Sequence, residues 1–197
     1  MKGFDTVSVA LTFLIYHLAK YPEYQEKIFK EIELVSGNNP NHEFTLDEIR
    51  SCALLNAFIN ESMRIQPIAP VVSRLATKDI KLDDKYTVPA HTDVVIFIGK
   101  VLKDPDYFPE PEEFKPERFL GDQSENLFTN IPFSAGPRNC VGKKFALHAL
   151  SFLSASLIQT YRIELSKNTP RKLGIKFELV NKPIETIEID FVERNNN

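Results

Sequence analysis

The sequence predicts a mixed α+β fold that is mainly helical and carries only small sheets. Apolar residues recur at helical spacing through most of the first 64 residues, short alternating segments follow, and a second long amphipathic segment begins near residue 143. A length of 197 residues with 43% apolar and 26% charged residues is ordinary for a globular domain. The net charge of -3 argues against a general nucleic-acid binder, so we expect no nucleic-acid partner.

Local signals place the helices of the first third of the chain. A first helix runs to Lys20, and a second begins at Pro22, because proline suits the first turn of a helix, and ends at Gly37. A third helical region begins at a T-x-x-E capping box and runs to about Arg64. The residues of that box are Thr45 and Glu48, and the prolines that end the region are Pro67 and Pro70.

The pattern changes after residue 70. The segments VVSRLA, KYTVPA and DVVIFI are typical of short strands, with a turn at Asp83 and Asp84. Four prolines between Asp104 and Phe119 predict an extended meander that is neither helix nor strand. The segment KKFALHALSFLSASLIQTY predicts a long helix, the tail predicts strands at RIEL, KFELV and IEIDFV, and Asn195 to Asn197 are expected to be disordered.

The start of the sequence predicts that this chain is part of a longer domain. The first helix begins almost at the first residue, without a capping Ser, Thr, Asp or Asn before it. The longest nearly apolar run, Val7 to Ala19, is interrupted by polar residues and is shorter than the ~20 residues that a spanning helix needs, so we expect no transmembrane segment. With only Cys52 and Cys140, the chain does not suit a disulfide framework, and a reducing compartment fits better.

Cys140 lies in a turn, FSAGPRNCVG, just before the long helix. The positive end of a helix dipole favours a thiolate, Gly136 and Gly142 permit close backbone approach, and Arg138 adds a cation. A zinc site would need further Cys or His partners at short spacing, no C-x-x-C is present, and no His lies in a context typical of a cysteine protease. A buried structural cysteine is the ordinary alternative; a single thiolate ligand to haem iron is the chemistry that the whole motif favours.

The motif F-x-x-G-x-R-x-C-x-G, from Phe133 to Gly142, resembles the haem-binding signature of the cytochrome P450 superfamily of haem-thiolate monooxygenases. The resemblance implies haem b, ligated through Cys140 and contacted by Phe133, Gly142 and Arg138. Arg74 and Arg138 both resemble residues that pair with a haem propionate; for Arg74 the alternative is an exposed strand arginine. The resemblance covers essentially the whole chain. It implies that residues 1–197 form the C-terminal part of one catalytic domain.

Two further groups of residues fit the same family. Asp5 and Thr6 in GFDT resemble its acid–alcohol pair for proton delivery to oxygen, although a helical Thr commonly bonds to its own backbone. The E-x-x-R pair of Glu61 and Arg64, with Arg118 in the meander, resembles the family's structural triad; taken alone it is an ordinary surface pair.

The resemblance also implies partners and substrates. Lys143 and Lys144 would form a docking patch for an NADPH-dependent reductase, and Ala69, Val71 and Val72 would form an apolar wall facing the substrate. The segments PFSAGPRNC and FPEPEEFKPERF are most similar to the microsomal fatty-acid hydroxylase branch, which implies a small apolar substrate, such as a fatty acid or another lipid, and a full-length protein at the cytoplasmic face of the endoplasmic reticulum.

The chain departs from that branch at Lys2, where a glutamate that can bond covalently to haem is usual. The resemblance therefore implies a monooxygenase without this ester link. Two alternatives remain open: a non-catalytic haem-binding remnant or incomplete gene product, and a haem-thiolate isomerase or dehydratase that needs no dioxygen. Asp5 and Thr6 count against the latter, because such relatives often lack the acid–alcohol pair.

Overall fold

The structure is a computed structural model that describes residues 3–37, 39–121 and 128–194. Lys2 and Asn195 to Asn197, about which the sequence made predictions, lie outside these residues. The helices are α1 (Gly3–Lys20), α2 (Pro22–Ser36), α3 (Leu46–Ser51), α4 (Ala53–Ile65), α5 (Ile98–Val101) and α6 (Lys143–Thr160). The strands are β1 (Val72–Leu75), β2 (Ile80–Lys81), β3 (Thr87–Val88), β4 (Asp93–Ile96), β5 (Tyr161–Leu165), β6 (Ile175–Lys176), β7 (Lys182–Pro183) and β8 (Ile189–Glu193). The predicted fold class, mainly helical with small sheets, is confirmed.

The helix boundaries follow the local signals, with one exception. Gly37 ends α2 in the left-handed conformation, with φ at 60°, and the capping box of Thr45 and Glu48 begins α3. The exception is Cys52, which divides the helical region predicted to run on to Arg64 into α3 and α4. The new helix start is capped by Glu31 of α2, whose carboxylate accepts the N–H groups of Leu54 at 2.9 Å and Leu55 at 3.0 Å.

The core lies between α1, α2, α4 and α6, with β5 against it. Part of this core is aromatic: Phe114 of the meander stacks on Tyr21, with 4.4 Å between the ring centroids. Gln25 is a fully buried polar residue of this core: its amide donates to the carbonyls of Leu18 and Ile163 at 2.9 Å each, and its oxygen accepts the N–H of Ile163 at 2.8 Å. These bonds satisfy the buried amide and join α1, α2 and β5.

Within the described residues the strands form four two-stranded antiparallel sheets: β1 with β4, β2 with β3, β5 with β8, and β6 with β7. The meander from Asp104 to Phe119 is largely irregular, as predicted, but its last residues, Pro116–Phe119, form a 3-10 helix, which corrects the prediction of no helix there. The predicted strand at KFELV is also wrong in extent, because β6 ends at Lys176 and Phe177 begins the turn toward β7.

The C-terminal strand is held by Arg194. Its guanidinium donates to both carboxylate oxygens of Glu26, at 3.1 and 2.9 Å, and lies 3.8 Å from the ring centroid of Phe29. Its Nε also donates to the carbonyl of Ile158 at 2.9 Å. The end of the described chain is therefore bound to α2 and α6.

His17 of α1 makes the stability of the fold depend on pH. Its side chain is buried, with Nδ1 2.8 Å from the hydroxyl of Ser62 and its ring 5.0 Å from that of Phe114. Burial, assisted by the charge of Lys20, lowers the pKa of His17 to about 3. In the unfolded chain the pKa returns to ~6.5, so between these values the unfolded state binds the extra proton.

We therefore expect the free energy of unfolding to fall as the pH drops below 6.5, by about 2 kcal/mol between pH 7.5 and pH 5 from His17 alone. Urea denaturation of the wild type and of His17→Gln at both pH values measures this, because the variant lacks the titrating group. His91→Asn, at an exposed turn position, is the control and should keep the wild-type pH dependence. If the free energy of unfolding of His17→Gln depended on pH as strongly as that of the wild type, His17 would not be the group responsible.

Candidate functional site

The turn before α6 holds Cys140 through its backbone. The N–H of Cys140 donates to the carbonyl of Phe133 at 3.0 Å, and the carbonyl of Cys140 accepts the N–H of Lys143 at 3.2 Å. Two residues of the turn have left-handed backbones, Gly136 with φ at 76° and Ser134 with φ at 61°. A non-glycine residue in that conformation is costly and is kept only where the surroundings enforce it, so the shape of the turn is closely specified.

The thiol of Cys140 is free and exposed, whereas Cys52 is free and buried. Gly142 precedes the first residue of α6, and a Cβ on it would lie 3.8 Å from the Cys140 sulfur. Glycine therefore keeps the space beside the sulfur clear. Lys143 and Lys144 begin the helix and are both exposed.

The two predicted propionate-binding arginines differ in their surroundings. Arg74 on β1 donates from Nη2 to the Ser134 hydroxyl at 3.2 Å and to the Arg138 carbonyl at 3.3 Å, so it links the small sheet to the cysteine turn. The side chain of Arg138 is exposed. Phe133 is partly buried, and its ring packs on the main core.

Glu61 and Arg64 form a buried ion pair on α4. Both side chains are fully buried, and the pair is bidentate, with Nε of Arg64 2.7 Å from Oε2 of Glu61 and Nη2 2.9 Å from Oε1. The remaining guanidinium hydrogens donate to three backbone carbonyls of the region after β4. Those carbonyls belong to Leu102 at 2.9 Å, Pro111 at 2.8 Å and Glu113 at 3.1 Å.

Arg118 completes this network from the meander. Its Nε lies 3.6 Å from Oε1 of Glu61, and its Nη2 donates to the carbonyl of Glu110 at 2.8 Å. Glu61 also accepts the backbone N–H of Lys115 at 2.7 Å. The structure thus brings Glu61, Arg64 and Arg118 together, and nearly every bond leaving the pair ends on the meander. The sequence did not indicate which backbone carbonyls accept these hydrogen bonds, because every residue type carries the same carbonyl group.

Asp5 and Thr6 lie in the first turn of α1. Asp5 is exposed and Thr6 is partly buried, and the Thr6 hydroxyl donates to the carbonyl of Gly3 at 3.0 Å. This is the local backbone bond that a helical threonine commonly makes. The hydroxyl oxygen can still accept a hydrogen bond in this position.

A cavity of about 400 Å³ lies between β1 and the β6–β7 hairpin. Val71 and Val72, two of the three residues predicted to face a substrate, line it. The opposite side consists of Phe177, Glu178 and Leu179, which the sequence analysis took only as strand residues. Asn181 holds the hairpin there, since its N–H donates to the Ile68 carbonyl at 2.9 Å and its side-chain amide to the Pro67 carbonyl at 2.8 Å.

The comparisons with known proteins agree with this geometry. A sequence model of the cytochrome P450 family matches residues 1–191. The chain is 34% identical to cytochrome P450 4V2 of Rattus norvegicus over 98% of its length, and 37% identical to probable cytochrome P450 4d20 of Drosophila melanogaster over 82%. It is also 33% identical to cytochrome P450 3A29 of Sus scrofa, over 98% of its length.

The chain belongs to the cytochrome P450 family. Two of these relatives, cytochrome P450 4V2 and probable cytochrome P450 4d20, carry the group number 4 in their names, which agrees with the branch that the motifs indicated. The chain spans 32 to 38% of the length of these relatives. In the part of this cytochrome P450 chain that the structure describes, no helix combines the length and the apolar character needed to span a bilayer.

Membership in the cytochrome P450 family implies a haem, and the residues around Cys140 fit one. The thiol is exposed and free, and no cluster of three or more His, Cys, Asp or Glu side chains that could hold a metal occurs within residues 3–37, 39–121 and 128–194. Val141 and Phe145 beside it are apolar yet strongly exposed. A flat apolar group bound at the sulfur would cover such side chains, and exposed Arg138 offers a cation for its carboxylates.

Proposed function

We propose that this chain supplies the haem-binding part of a cytochrome P450 monooxygenase, with Cys140 as the single protein ligand of haem b. The observation that carries the proposal is the exposed thiol of Cys140, whose residue is held before α6 by the hydrogen bond from its backbone N–H to the Phe133 carbonyl. In this proposal residues 1–197 form the C-terminal part of one catalytic domain.

Haem bound through a thiolate supplies the reduction of dioxygen and the insertion of one oxygen atom into a C–H bond. Around it, the chain binds and orients. Arg74 and Arg138 would pair with the haem carboxylates, and the hydrogen bonds from Arg74 link β1 to the cysteine turn. Phe133 and Gly142 would contact the haem beside the sulfur. The network of Glu61, Arg64 and Arg118 would hold the meander, and with it the cysteine turn, in a fixed position.

Proton delivery is assigned to Asp5 and Thr6. Asp5 is exposed, and the Thr6 hydroxyl, which donates to the Gly3 carbonyl at 3.0 Å, can accept a hydrogen bond at one fixed position. The electrons would come from NADPH through a separate reductase, and Lys143 and Lys144 would form the docking patch for an acidic surface of it. Full-length relatives of this branch suggest the endoplasmic reticulum membrane as its location.

The substrate class follows from the cavity. Its walls at Val71, Val72, Phe177 and Leu179 are apolar, and burying apolar surface is the main favourable term for binding. We therefore assign an apolar small molecule as substrate, in keeping with the likeness to the fatty-acid hydroxylase branch: a fatty acid or another lipid.

Haem titration tests the proposal. The purified chain is mixed with haem, reduced with dithionite and exposed to carbon monoxide. A thiolate-ligated complex absorbs at the wavelength from which the family takes its name, and that band is the expected result. A band typical of histidine-ligated or free haem would overturn the proposal. The alternative, a non-catalytic haem-binding remnant, would give the same band without turnover.

Thr6→Ala separates the enzyme from the remnant. In a polypeptide extended to the length of the relatives and supplied with reductase, we expect NADPH consumption to continue while the ratio of product to NADPH falls severalfold. Without the hydroxyl, proton delivery loses its fixed position, and reduced oxygen leaves as hydrogen peroxide. Thr12→Ala is a matched control, because its hydroxyl also donates only to a helix carbonyl, that of Ser8 at 2.9 Å. An unchanged ratio in Thr6→Ala would remove Thr6 from the chemistry.

A further inference from the structure

Ser134 has a backbone conformation that serine seldom adopts. Its φ of 61° lies in the left-handed region, where a side chain raises the energy of the backbone and glycine does not. Two positions further along, the same turn does use glycine, at Gly136 with φ at 76°. The backbone N–H of Ser134 donates to the carbonyl of Ile131 at 2.9 Å, so the turn closes without help from the hydroxyl. Strain of this kind persists only where contacts of the residue compensate for it.

The hydroxyl of Ser134 makes its contact with Arg74. Within the described residues the Ser134 side chain forms one hydrogen bond, in which its oxygen accepts from Nη2 of Arg74 at 3.2 Å. The two residues are 60 positions apart in the chain, so the contact is a product of the fold and not of local turn geometry. Both residues are partly buried, which limits the competition from water for this bond.

The hydrogen bonds of Arg74 orient its guanidinium and leave its charge available. Besides the Ser134 hydroxyl, it donates to the carbonyl of Ser73 at 2.8 Å and to that of Arg138 at 3.3 Å. All of these acceptors are neutral, so the bonds hold the guanidinium without neutralising it. Its Nε–H takes part in none of them and remains a donor for a further acceptor. An arginine held in this way binds a carboxylate without first losing the rotamer freedom of its long side chain.

We infer that Ser134 is a positioning residue for haem: its hydroxyl holds Arg74 in place to pair with a haem carboxylate. The inference rests on the proposed function, because it takes the cysteine turn to bind haem and Arg74 to meet one of its carboxylates. It gives a role to a position that the motif F-x-x-G-x-R-x-C-x-G leaves open. It also explains why serine stands where glycine would avoid the backbone strain.

Ser134→Gly should separate stability from haem binding. Glycine removes both the hydroxyl and the strain, so the urea midpoint of the haem-free chain should equal or exceed that of the wild type. The dissociation constant for haem, measured by absorbance titration, should rise about fivefold, because Arg74 must then be ordered during binding. Ser134→Ala removes the hydroxyl and keeps the strain, so it should weaken haem binding equally but have a lower urea midpoint than Ser134→Gly.

Two further measurements show whether Ser134 acts through Arg74. In the Arg74→Gln background, Ser134→Gly should change the dissociation constant for haem by less than about twofold, because the group that the hydroxyl holds is already absent. In the haem-free chain, nitrogen NMR relaxation of the Arg74 Nε–H should show a more mobile side chain in Ser134→Gly than in the wild type.

His91→Gly is the matched control for the relief of strain. Exposed His91 also has a left-handed backbone, with φ at 64°, but it lies in the turn before β4, outside the cysteine turn. This change should therefore leave the dissociation constant for haem at the wild-type value.

An unchanged dissociation constant in Ser134→Gly would overturn the inference, as would an equal weakening in the Arg74→Gln background, unchanged mobility of Arg74, or weaker haem binding in His91→Gly as well. The relaxation measurement needs no haem. Failure of the proposed function would appear instead as the absence of the thiolate-type band from the wild-type chain, and that band depends on Cys140 and not on Ser134.

Discussion

Cys140→Ala is expected to abolish the thiolate-type ferrous carbon monoxide spectrum of the haem-loaded chain. The sulfur of Cys140 is the exposed thiol of the chain, and the turn around it presents no other metal-ligating side chain among the described residues. Removing it leaves haem without a protein ligand at this position, so we expect both the spectrum and most of the haem retention to be lost. The measurement is the ferrous carbon monoxide difference spectrum, with haem content determined in parallel.

Cys52→Ala is the matched control. Cys52 is buried between α3 and α4, its thiol lies 3.4 Å from the Glu48 carbonyl, and burial raises the pKa of its thiol to about 11. A buried, protonated thiol is an inert structural group, so its removal should leave the thiolate spectrum intact at a modest cost in stability. A thiolate spectrum that persists in Cys140→Ala and disappears in Cys52→Ala would reverse the ligand assignment.

The second large effect is expected from Glu61→Ala. This change leaves the fully buried guanidinium of Arg64 without its counterion and the N–H of Lys115 without its acceptor. Breaking one side of a buried ion pair costs ~3–5 kcal/mol, because the remaining charge stays desolvated and uncompensated. We expect the free energy of unfolding in urea to fall by about this amount, and haem retention to fall with it, since the meander depends on the same bonds.

An exposed pair on the same kind of spacing provides the control. Asp47 and Arg50 are also three residues apart on a helix, 3.4 Å from each other, but both side chains are largely in solvent. Asp47→Ala should therefore change the free energy of unfolding by no more than about 0.5 kcal/mol. Comparable losses for Asp47→Ala and Glu61→Ala would mean that the Glu61 network has no special role in the stability of the fold.

Signals that depend on neighbours in the chain predicted the structure well. The proline at the start of α2, the glycine that ends it and the capping box of Thr45 and Glu48 each act within a few residues, so they hold whatever packs around them. The cysteine motif from Phe133 to Gly142 is local in the same sense and led to the family that the comparisons show. The roles of its individual residues remain predictions.

Features that depend on distant partners were missed or only partly seen. The break at Cys52 is stabilised by Glu31, a residue of the preceding helix, and no pattern within the segment itself indicates that the carboxylate will reach it. The hairpin wall of the cavity is similar: Phe177 and Leu179 meet Val71 because Asn181 bonds to the carbonyls before β1, more than a hundred residues away in the chain.

By itself, then, the sequence determined the fold class, the order of the main helices, the cysteine turn and the family, since each depends on residue types at short spacing. Only the tertiary structure decided how much each charged pair contributes to the stability of the fold. Glu61 and Arg64 have the spacing of any surface pair, and so do Asp47 and Arg50. Burial distinguishes them: with water excluded, the first pair must satisfy its hydrogen bonds within the protein, and Arg64 does so on the carbonyl of Leu102 and on two carbonyls of the meander.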